Sequence, residues 1–80
     1  MLIDKMNYEF LQNYVLQMNS KYCICDFKIV MEDLIHYMDY FPISEMPEYF
    51  QRFELTEKEC KKLISLCNKR VKEINSRVGE

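Results

Sequence analysis

The sequence predicts an all-α fold, a small bundle of three main helices plus one short helix, in a single domain over residues 1–80. Apolar residues recur at spacings of three and four along most of the chain, which is typical of amphipathic helices. The chain has only one glycine and two prolines, so few positions interrupt a helix. Its 80 residues suffice for one domain only.

The first helix is predicted over about residues 4–20, with Asp4 favouring its start. Its apolar positions form two adjoining stripes: Ile3, Met6, Phe10 and Tyr14, and Leu11, Val15, Met18 and Tyr22. Asn19-Ser20-Lys21 weakens the helix, and the alternation in residues 22–25 is strand-like with nothing to pair with. We therefore expect a turn or an extended connector there.

A second helix is predicted over about residues 27–41, with Asp26 as its N-cap and Pro42 as its end. Its inward positions have helical spacing: Phe27, Val30, Met31, Leu34, Met38 and Phe41. A short helix follows to about residue 53, with Ser44 as a possible cap and Pro47 in its first turn. Met46, Phe50 and Phe53 are expected to face inward.

The last helix is predicted over about residues 56–78. Thr56 and Glu59 have the spacing of a capping box. Residues at alternating spacings of four and three then form a heptad seam: Cys60, Ile64, Cys67, Val71, Ile74 and Val78. Leu63 and Leu66 widen its first half, so we expect that half to pack into the domain and the second half to project.

The heptad seam also suggests a homodimer. A chain of this mass buries only about 64% of its unfolded surface, which leaves a thin core that a partner subunit would extend. The residues expected to mediate self-association are Ile64, Cys67, Val71, Ile74 and Val78.

Charge is divided between two parts of the chain. Residues 57–80 hold seven basic and four acidic side chains, whereas residues 1–56 hold four basic and nine acidic ones. The basic side chains of the last helix make a helix-turn-helix-like DNA-binding regulator the alternative function. They are Lys58, Lys61, Lys62, Lys69, Arg70, Lys72 and Arg77. Glu57 and Glu59 at the start of that helix, and a net charge of −2, argue against nucleic acid as the partner.

The composition argues against an enzyme and against a cofactor. Gly79 is the only glycine, so no phosphate-binding loop can form, and His36 is the only histidine available to activate a nucleophile. His36 lies near Glu32 and Asp33 on a helix, where a local ion pair accounts for it.

A structural zinc site is the weaker interpretation of the four cysteines. It would combine Cys23 and Cys25 with His36 and either Cys60 or Cys67, but a C-x-C pair is atypical of zinc ligands. We predict no metal site, and we expect Cys60 and Cys67 to be buried apolar residues. No apolar run approaches the ~20 residues of a membrane span. Without an export signal, we expect a cytoplasmic protein with reduced thiols.

Aromatic residues are concentrated in residues 37–53. Six of them occur there, too many for a core of this size, and tyrosine and methionine are enriched at protein interfaces. The predicted partner-binding residues are Tyr37, Tyr40, Phe41, Ile43, Met46, Tyr49 and Phe50. We therefore expect a non-catalytic interaction module that occludes a functional surface of a partner protein.

The composition also resembles that of a known class of small proteins. The chain is acidic and poor in glycine, and its bias toward Lys, Ile, Asn, Tyr, Phe and Met without alanine is typical of AT-rich coding DNA. In this it resembles small helical phage or mobile-element proteins that inhibit or redirect a host complex by binding it. The resemblance implies an inhibitor or regulator and assigns no role to any individual residue.

Overall fold

The computed structural model describes residues 5–78, and residues 77 and 78 only in their backbone. It confirms a small all-α fold that is 79% helical, with four helices, three of them of seven or more residues, and one 3₁₀ turn in the described part. The elements in chain order are β1 Met6–Asn7, α1 Tyr8–Gln17, α2 Lys21–Tyr40, the 3₁₀ turn Ile43–Glu45, α3 Glu48–Gln51, β2 Phe53–Glu54 and α4 Glu57–Val78.

The core lies where α1 and α2 pack against α4, and the contact between α2 and α4 is the larger of the two. Its buried apolar residues are Leu11, Val15, Met18, Ile24, Phe27, Met31, Leu34, Met46, Phe53, Cys60, Leu63 and Cys67. The molecule is elongated, with extents of 47 × 26 × 18 Å. It exposes 5841 Å², more than the roughly 5,200 Å² typical of a compact chain of this mass.

The predicted start of the second helix was wrong. α2 begins at Lys21, and Ser20 is its N-cap, with Ser20 Oγ accepting from the Cys23 N–H at 3.5 Å. Asp26 lies inside the helix. The physical reason is Ile24, which is fully buried and extends the inward stripe of α2 by one turn. Residues 22–25, expected to be a connector, are therefore helical.

The first helix is shorter than predicted. α1 begins at Tyr8, and Asn7 caps it by accepting from the Phe10 N–H at 2.9 Å. The proposed role of Asp4 lies outside the described residues. Only one of the two predicted stripes is covered. Leu11, Val15 and Met18 of the second stripe are buried, although its last residue, Tyr22, lies on α2 and is 73% exposed. Phe10 and Tyr14 of the first stripe are exposed.

A two-stranded parallel sheet was not predicted. β1 pairs with β2, with Met6 opposite Phe53 and Asn7 opposite Glu54, and the Met6 N–H donates to the carbonyl of Arg52 at 2.8 Å. Strands of two residues leave no periodicity in a sequence. This pairing joins the chain just before α1 to the chain just before α4.

The predicted short helix is divided in two. A 3₁₀ turn, Ile43–Glu45, comes first, and α3 follows at Glu48–Gln51. Ser44 lies within the turn and does not cap a helix, while Pro47 occupies the position before α3. The Gln51 side chain joins the two pieces by donating to the carbonyl of Met46 at 2.8 Å.

The capping box of the last helix is confirmed. The Thr56 N–H donates to Glu59 Oε1 at 2.9 Å, and the Glu59 N–H donates to Thr56 Oγ1 at 3.1 Å. α4 then runs within the predicted range of residues 56–78.

The heptad seam is used inside the chain. Cys60 and Cys67 are fully buried, and Ile64, Val71 and Ile74 are partly buried against the core of the same chain. Packing of α4 against the core continues at least to Ile74. The side chain of Val78, the last seam residue, lies outside the described residues.

Candidate protein-interaction surface

Aromatic side chains at the end of α2 and in α3 form one continuous surface, which we call the aromatic ridge: Tyr37, Tyr40, Phe41, Tyr49 and Phe50. The Tyr37 ring lies 5.0 Å from that of Phe50 and 5.9 Å from that of Phe41, measured between centroids. Phe50 and Tyr49 stack edge to face at 5.5 Å. The His36 ring, 5.1 Å from that of Tyr40, extends these contacts along α2.

The ridge is largely open to solvent. Tyr40 is 69% exposed, and Phe41, Ile43 and Tyr49 are each nearly half exposed. Tyr37 and Phe50 are half-buried beneath them. Apolar area of this kind, grouped in one place, is the surface feature that marks interaction sites.

Two of the residues chosen from the sequence are not available to a partner in this structure. Met46, predicted to bind a partner, is 6% exposed and belongs to the core, as does Phe53 at 4%. Cys67, predicted to mediate self-association, is fully buried by its own chain. The sequence also predicted that Met46, Phe53 and Cys67 face inward, and their burial confirms that prediction over the assignment of Met46 and Cys67 to an interface.

The turn after α2 positions the ridge. Phe41 ends the helix, with its N–H donating to the carbonyl of Tyr37 at 2.8 Å, and Pro42 follows in an extended conformation. Proline has no N–H to continue the helix, so the chain must turn here. The turn directs α3 back toward α2, which brings Phe50 against Tyr37.

A second feature, which the sequence analysis missed, is an apolar groove of about 500 Å³ between α1, α2 and α3. Its walls are Phe10 and Tyr14 of α1, 56% and 50% exposed, and Tyr49 of α3. Leu11 and Phe53 are buried beneath it. Because Tyr49 belongs to both features, the groove continues the aromatic ridge. The stripe of the first predicted helix that contains Phe10 and Tyr14 was the signal that could have indicated it.

Two charged side chains line the groove. Asp26 lies on the α2 side. Arg52, the residue after α3, places its guanidinium 5.2 Å from the ring centroid of Tyr49. Neither makes a salt bridge within the described chain. The groove is thus an apolar site that contains one carboxylate and one guanidinium with no salt-bridge partner among the described residues.

The exposed side of α4 carries lysines, which we call the lysine face: Lys58, Lys61, Lys62, Lys69 and Lys72. Arg70, grouped with them from the sequence, is instead buried. Its Nη2 donates to the carbonyl of Met18 at 2.6 Å and its Nη1 to Glu73 at 2.9 Å. Arg70 therefore joins α4 to the end of α1 and does not contribute to a basic surface. The side chain of Arg77 lies outside the described residues.

The cysteines form two chemically different pairs. Burial raises the pKa of both Cys60 and Cys67 to about 11, with Glu59 adding to the effect at Cys60, so both remain thiols at neutral pH. Cys23 and Cys25 are exposed. Cys25 and His36 are eleven residues apart on α2, roughly 16 Å along the axis, so they cannot share one metal ion. Within residues 5–78 no three His, Cys, Asp or Glu side chains converge on a metal position.

The single histidine has a packing role. The His36 ring contacts those of Tyr40 and Tyr37, at 5.1 and 6.4 Å between centroids. The ion pair expected with Glu32 or Asp33 does not form in the described structure. His36 also has no cysteine within one helical turn of it on α2.

In comparisons with known proteins, the chain matches no family model, no curated protein and no solved structure. None of the helices in the described part is both long enough and apolar enough to cross a membrane. The functional inference therefore depends on three surface features of this chain: the aromatic ridge, the apolar groove and the lysine face.

Proposed function

We propose that this protein is a non-catalytic protein–protein interaction module of the cytoplasm, an inhibitor or regulator that covers a functional surface of a partner protein with its aromatic ridge. One observation carries the proposal. Tyr40, Phe41 and Tyr49 stay exposed beside the half-buried Tyr37 and Phe50, with Tyr40 exposed over 69% of its surface.

Physical chemistry favours contact as the use of this surface. Exposing aromatic area to water has a free-energy cost, which binding to a complementary surface removes. Tyrosine rings have few rotatable bonds and a polar hydroxyl, so they provide a large contact area at a low cost in conformational entropy. The half-buried Tyr37 and Phe50 hold the exposed rings in place, which lowers that cost further.

Occlusion is favoured over catalysis because the single histidine and two of the four cysteines are engaged in packing. His36 packs against tyrosines, and burial keeps Cys60 and Cys67 protonated. An inhibitor that acts by covering a site needs only a rigid, complementary surface. This agrees with the type of phage or mobile-element protein that the composition resembles.

Site-specific photo-crosslinking in extracts of the source cell tests the proposal. A photoreactive phenylalanine analogue replaces Tyr40 in one protein and Lys61, an exposed residue of the lysine face, in the matched control. We expect a crosslinked partner from position 40 only. Excess unmodified protein should abolish this product, and excess Tyr40→Ser/Phe41→Ser protein should not. Equal crosslinking from both positions, or products that unmodified protein does not remove, would contradict the proposal.

DNA binding is the second candidate, and the lysine face is the observation that favours it. Glu57 pairs with Lys61 at 3.5 Å and weakens the positive potential at the start of α4, and the burial of Arg70 removes a further cation. Binding to random duplex DNA should then be weak. If DNA is the partner, affinity falls steeply with salt, and Lys69→Gln/Lys72→Gln reduces that slope. If the protein does not bind duplex DNA even at low ionic strength, this candidate function is excluded.

Homodimerisation stays a prediction, to be tested by light scattering after size exclusion over a hundredfold range of concentration. Because Val71 and Ile74 pack against the core of their own chain, we expect Val71→Asp/Ile74→Asp to loosen the docking of α4. If the protein is a stable dimer, and the double substitution dissociates it without loss of helix content, the heptad seam joins two chains.

A further inference from the structure

We propose that the apolar groove binds one amphipathic α-helix of a partner protein, which brings a basic side chain to Asp26 and an acidic side chain to Arg52. The proposal rests on the proposed function and goes further, because it names the kind of segment recognised. Two independent properties of the groove support it: its apolar shape and its pair of opposite charges.

The shape suits a few large side chains presented together. The groove has a volume of about 500 Å³, which is room for a few large side chains. The buried Leu11 and Phe53 supply an apolar floor, and the exposed Phe10, Tyr14 and Tyr49 supply the walls. An amphipathic helix fills such a groove with apolar side chains at i, i+3 or i+4, and i+7.

An extended peptide is a poorer fit to this site. Strand addition requires a sheet edge with a row of unpaired main-chain groups. β1 and β2 have only two residues each, and the Met6 N–H is already bonded to the carbonyl of Arg52. Affinity must therefore come from side chains, which is the way a helix binds in a groove.

The charges specify the ends of the bound helix. Covering Asp26 and Arg52 removes water from both, which costs free energy unless each meets an opposite charge. The partner must therefore carry a basic side chain for Asp26 and an acidic side chain for Arg52. The positive end of a helix dipole is its N-terminus, so that end is favoured beside Asp26 and the C-terminal end beside Arg52.

In a second copy of this chain, neither α4 nor α1 supplies such a segment. The apolar side chains of α4 pack on their own core, and its exposed side presents lysines. The exposed rings of α1 are themselves walls of the groove. A fatty acid or another small carboxylate would pair with Arg52 alone and would leave the charge of Asp26 uncompensated.

The experiment begins with selection from a fully random display library of 16-residue peptides, with the intact protein as bait. We expect the enriched peptides to share apolar residues at helical spacing, with a basic residue toward the N-terminus and an acidic one toward the C-terminus. Enrichment without helical spacing, or no enrichment at all, would overturn the proposal.

The charge assignment is then tested on the best peptide by fluorescence anisotropy. Asp26→Lys and Arg52→Glu should each weaken binding at least tenfold, whereas the matched control Asp39→Lys, an exposed residue of α2 outside the groove, should change it less than threefold. A peptide whose basic residue is replaced by glutamate should recover affinity for Asp26→Lys. Circular dichroism verifies that each variant folds. Equal affinities for all variants would exclude the charge assignment.

Two cysteines report occupancy of the groove directly. Cys23 lines the groove and Cys25 does not, although both are exposed. In proteins that keep only one of the two, bound peptide should slow thiol labelling at Cys23 and not at Cys25. Equal protection of both would contradict groove binding. Protection of Cys23 that rises with protein concentration, without peptide, would identify a second copy as the occupant.

The outcomes distinguish this inference from the proposed function. Crosslinking from position 40 reports on the ridge and does not depend on the groove. A partner crosslinked at Tyr40 together with failed peptide selection would leave the proposed function standing and overturn only the helix-in-groove inference. Failure of the crosslinking, with successful selection, would overturn the ridge as the contact surface.

Discussion

The last helix and the aromatic side of the molecule, meaning the ridge together with the groove, use their apolar residues in opposite ways. α4 turns its described apolar stripe toward the core, so that Cys60, Leu63 and Cys67 are fully buried, Ile64, Val71 and Ile74 are partly buried, and lysines face the solvent. The aromatic side leaves rings such as Phe10 and Tyr40 more than half exposed.

This difference indicates where a partner would bind. α4 has the strongest periodic pattern in the sequence, and the described apolar residues of that pattern pack against the core of their own chain. A regular heptad seam is therefore a weaker sign of an interface than exposed apolar area that no element of the chain covers. On the aromatic side, folding leaves apolar side chains exposed that a partner can contact.

The largest effect is expected where α4 is joined to α1. Arg70→Ala removes the bond to the Met18 carbonyl and leaves that buried acceptor unpaired, so we expect a loss of about 2 to 3 kcal/mol in the free energy of unfolding. Urea denaturation measures it. The neighbouring Lys69→Ala should change stability by about 0.5 kcal/mol or less. Equal losses would show that Arg70 acts as an ordinary surface cation.

The buried thiols should make stability depend on alkaline pH. The pKa of Cys60 and of Cys67 is raised to about 11 in the folded state, so the unfolded chain loses these protons first. Their contribution is therefore complete below pH 9 and is lost as the pH rises toward 11. We expect a fall on the order of 1 to 2 kcal/mol per thiol.

The control for the pH dependence is the Cys60→Ala/Cys67→Ala protein, in which tyrosines and lysines still titrate. If this protein loses the same stability between pH 9 and 11, the buried thiols are not the cause. Labelling with a thiol reagent at neutral pH should reach Cys23 and Cys25 and should spare the buried pair until the chain unfolds.

The capping box should contribute a smaller amount. Thr56→Ala removes the hydroxyl that accepts from the Glu59 N–H, and we expect a loss of about 1 kcal/mol. Thermal unfolding followed by circular dichroism measures it. Ser65→Ala, an exposed position within α4, should change stability by about 0.5 kcal/mol or less. A Thr56 effect no larger than this would contradict the capping role.

The smallest effect on stability is expected on the ridge. Tyr40→Ser removes a ring that is 69% exposed, so the free energy of unfolding should change by about 0.5 kcal/mol or less, as for the neighbouring Asp39→Ser. Partner crosslinking should nevertheless be lost. A large loss of stability in Tyr40→Ser alone would show that the ring supports the fold, and the contrast between the two regions would disappear.

The helices themselves were largely predictable, but their ends were less so. Thr56 and Glu59 identified the start of α4 because a capping box is a local pattern. The start of α2 was misplaced because Ser20 and Asp26 are both good caps. Only the burial of Ile24 against the core decides between them.

The candidate site was predicted in part. The aromatic density of residues 37–53 indicated the ridge, and Tyr40, Phe41, Ile43 and Tyr49 are indeed exposed there. Met46 was predicted both to face inward and to bind a partner, and its burial confirms the first prediction and contradicts the second. The groove was missed because its walls come from α1 and α3, which lie more than 30 residues apart in the chain.

The sequence by itself determined the all-α class, the range of the last helix and its cap, because helix periodicity and capping depend on neighbours within about four residues. Tertiary structure alone decided which stripe of α1 was covered, that Arg70 points inward, and that β1 and β2 pair. These depend on contacts between residues far apart in the chain. Periodicity tells which side chains share a face, whereas only packing determines whether that face is buried or left for a partner.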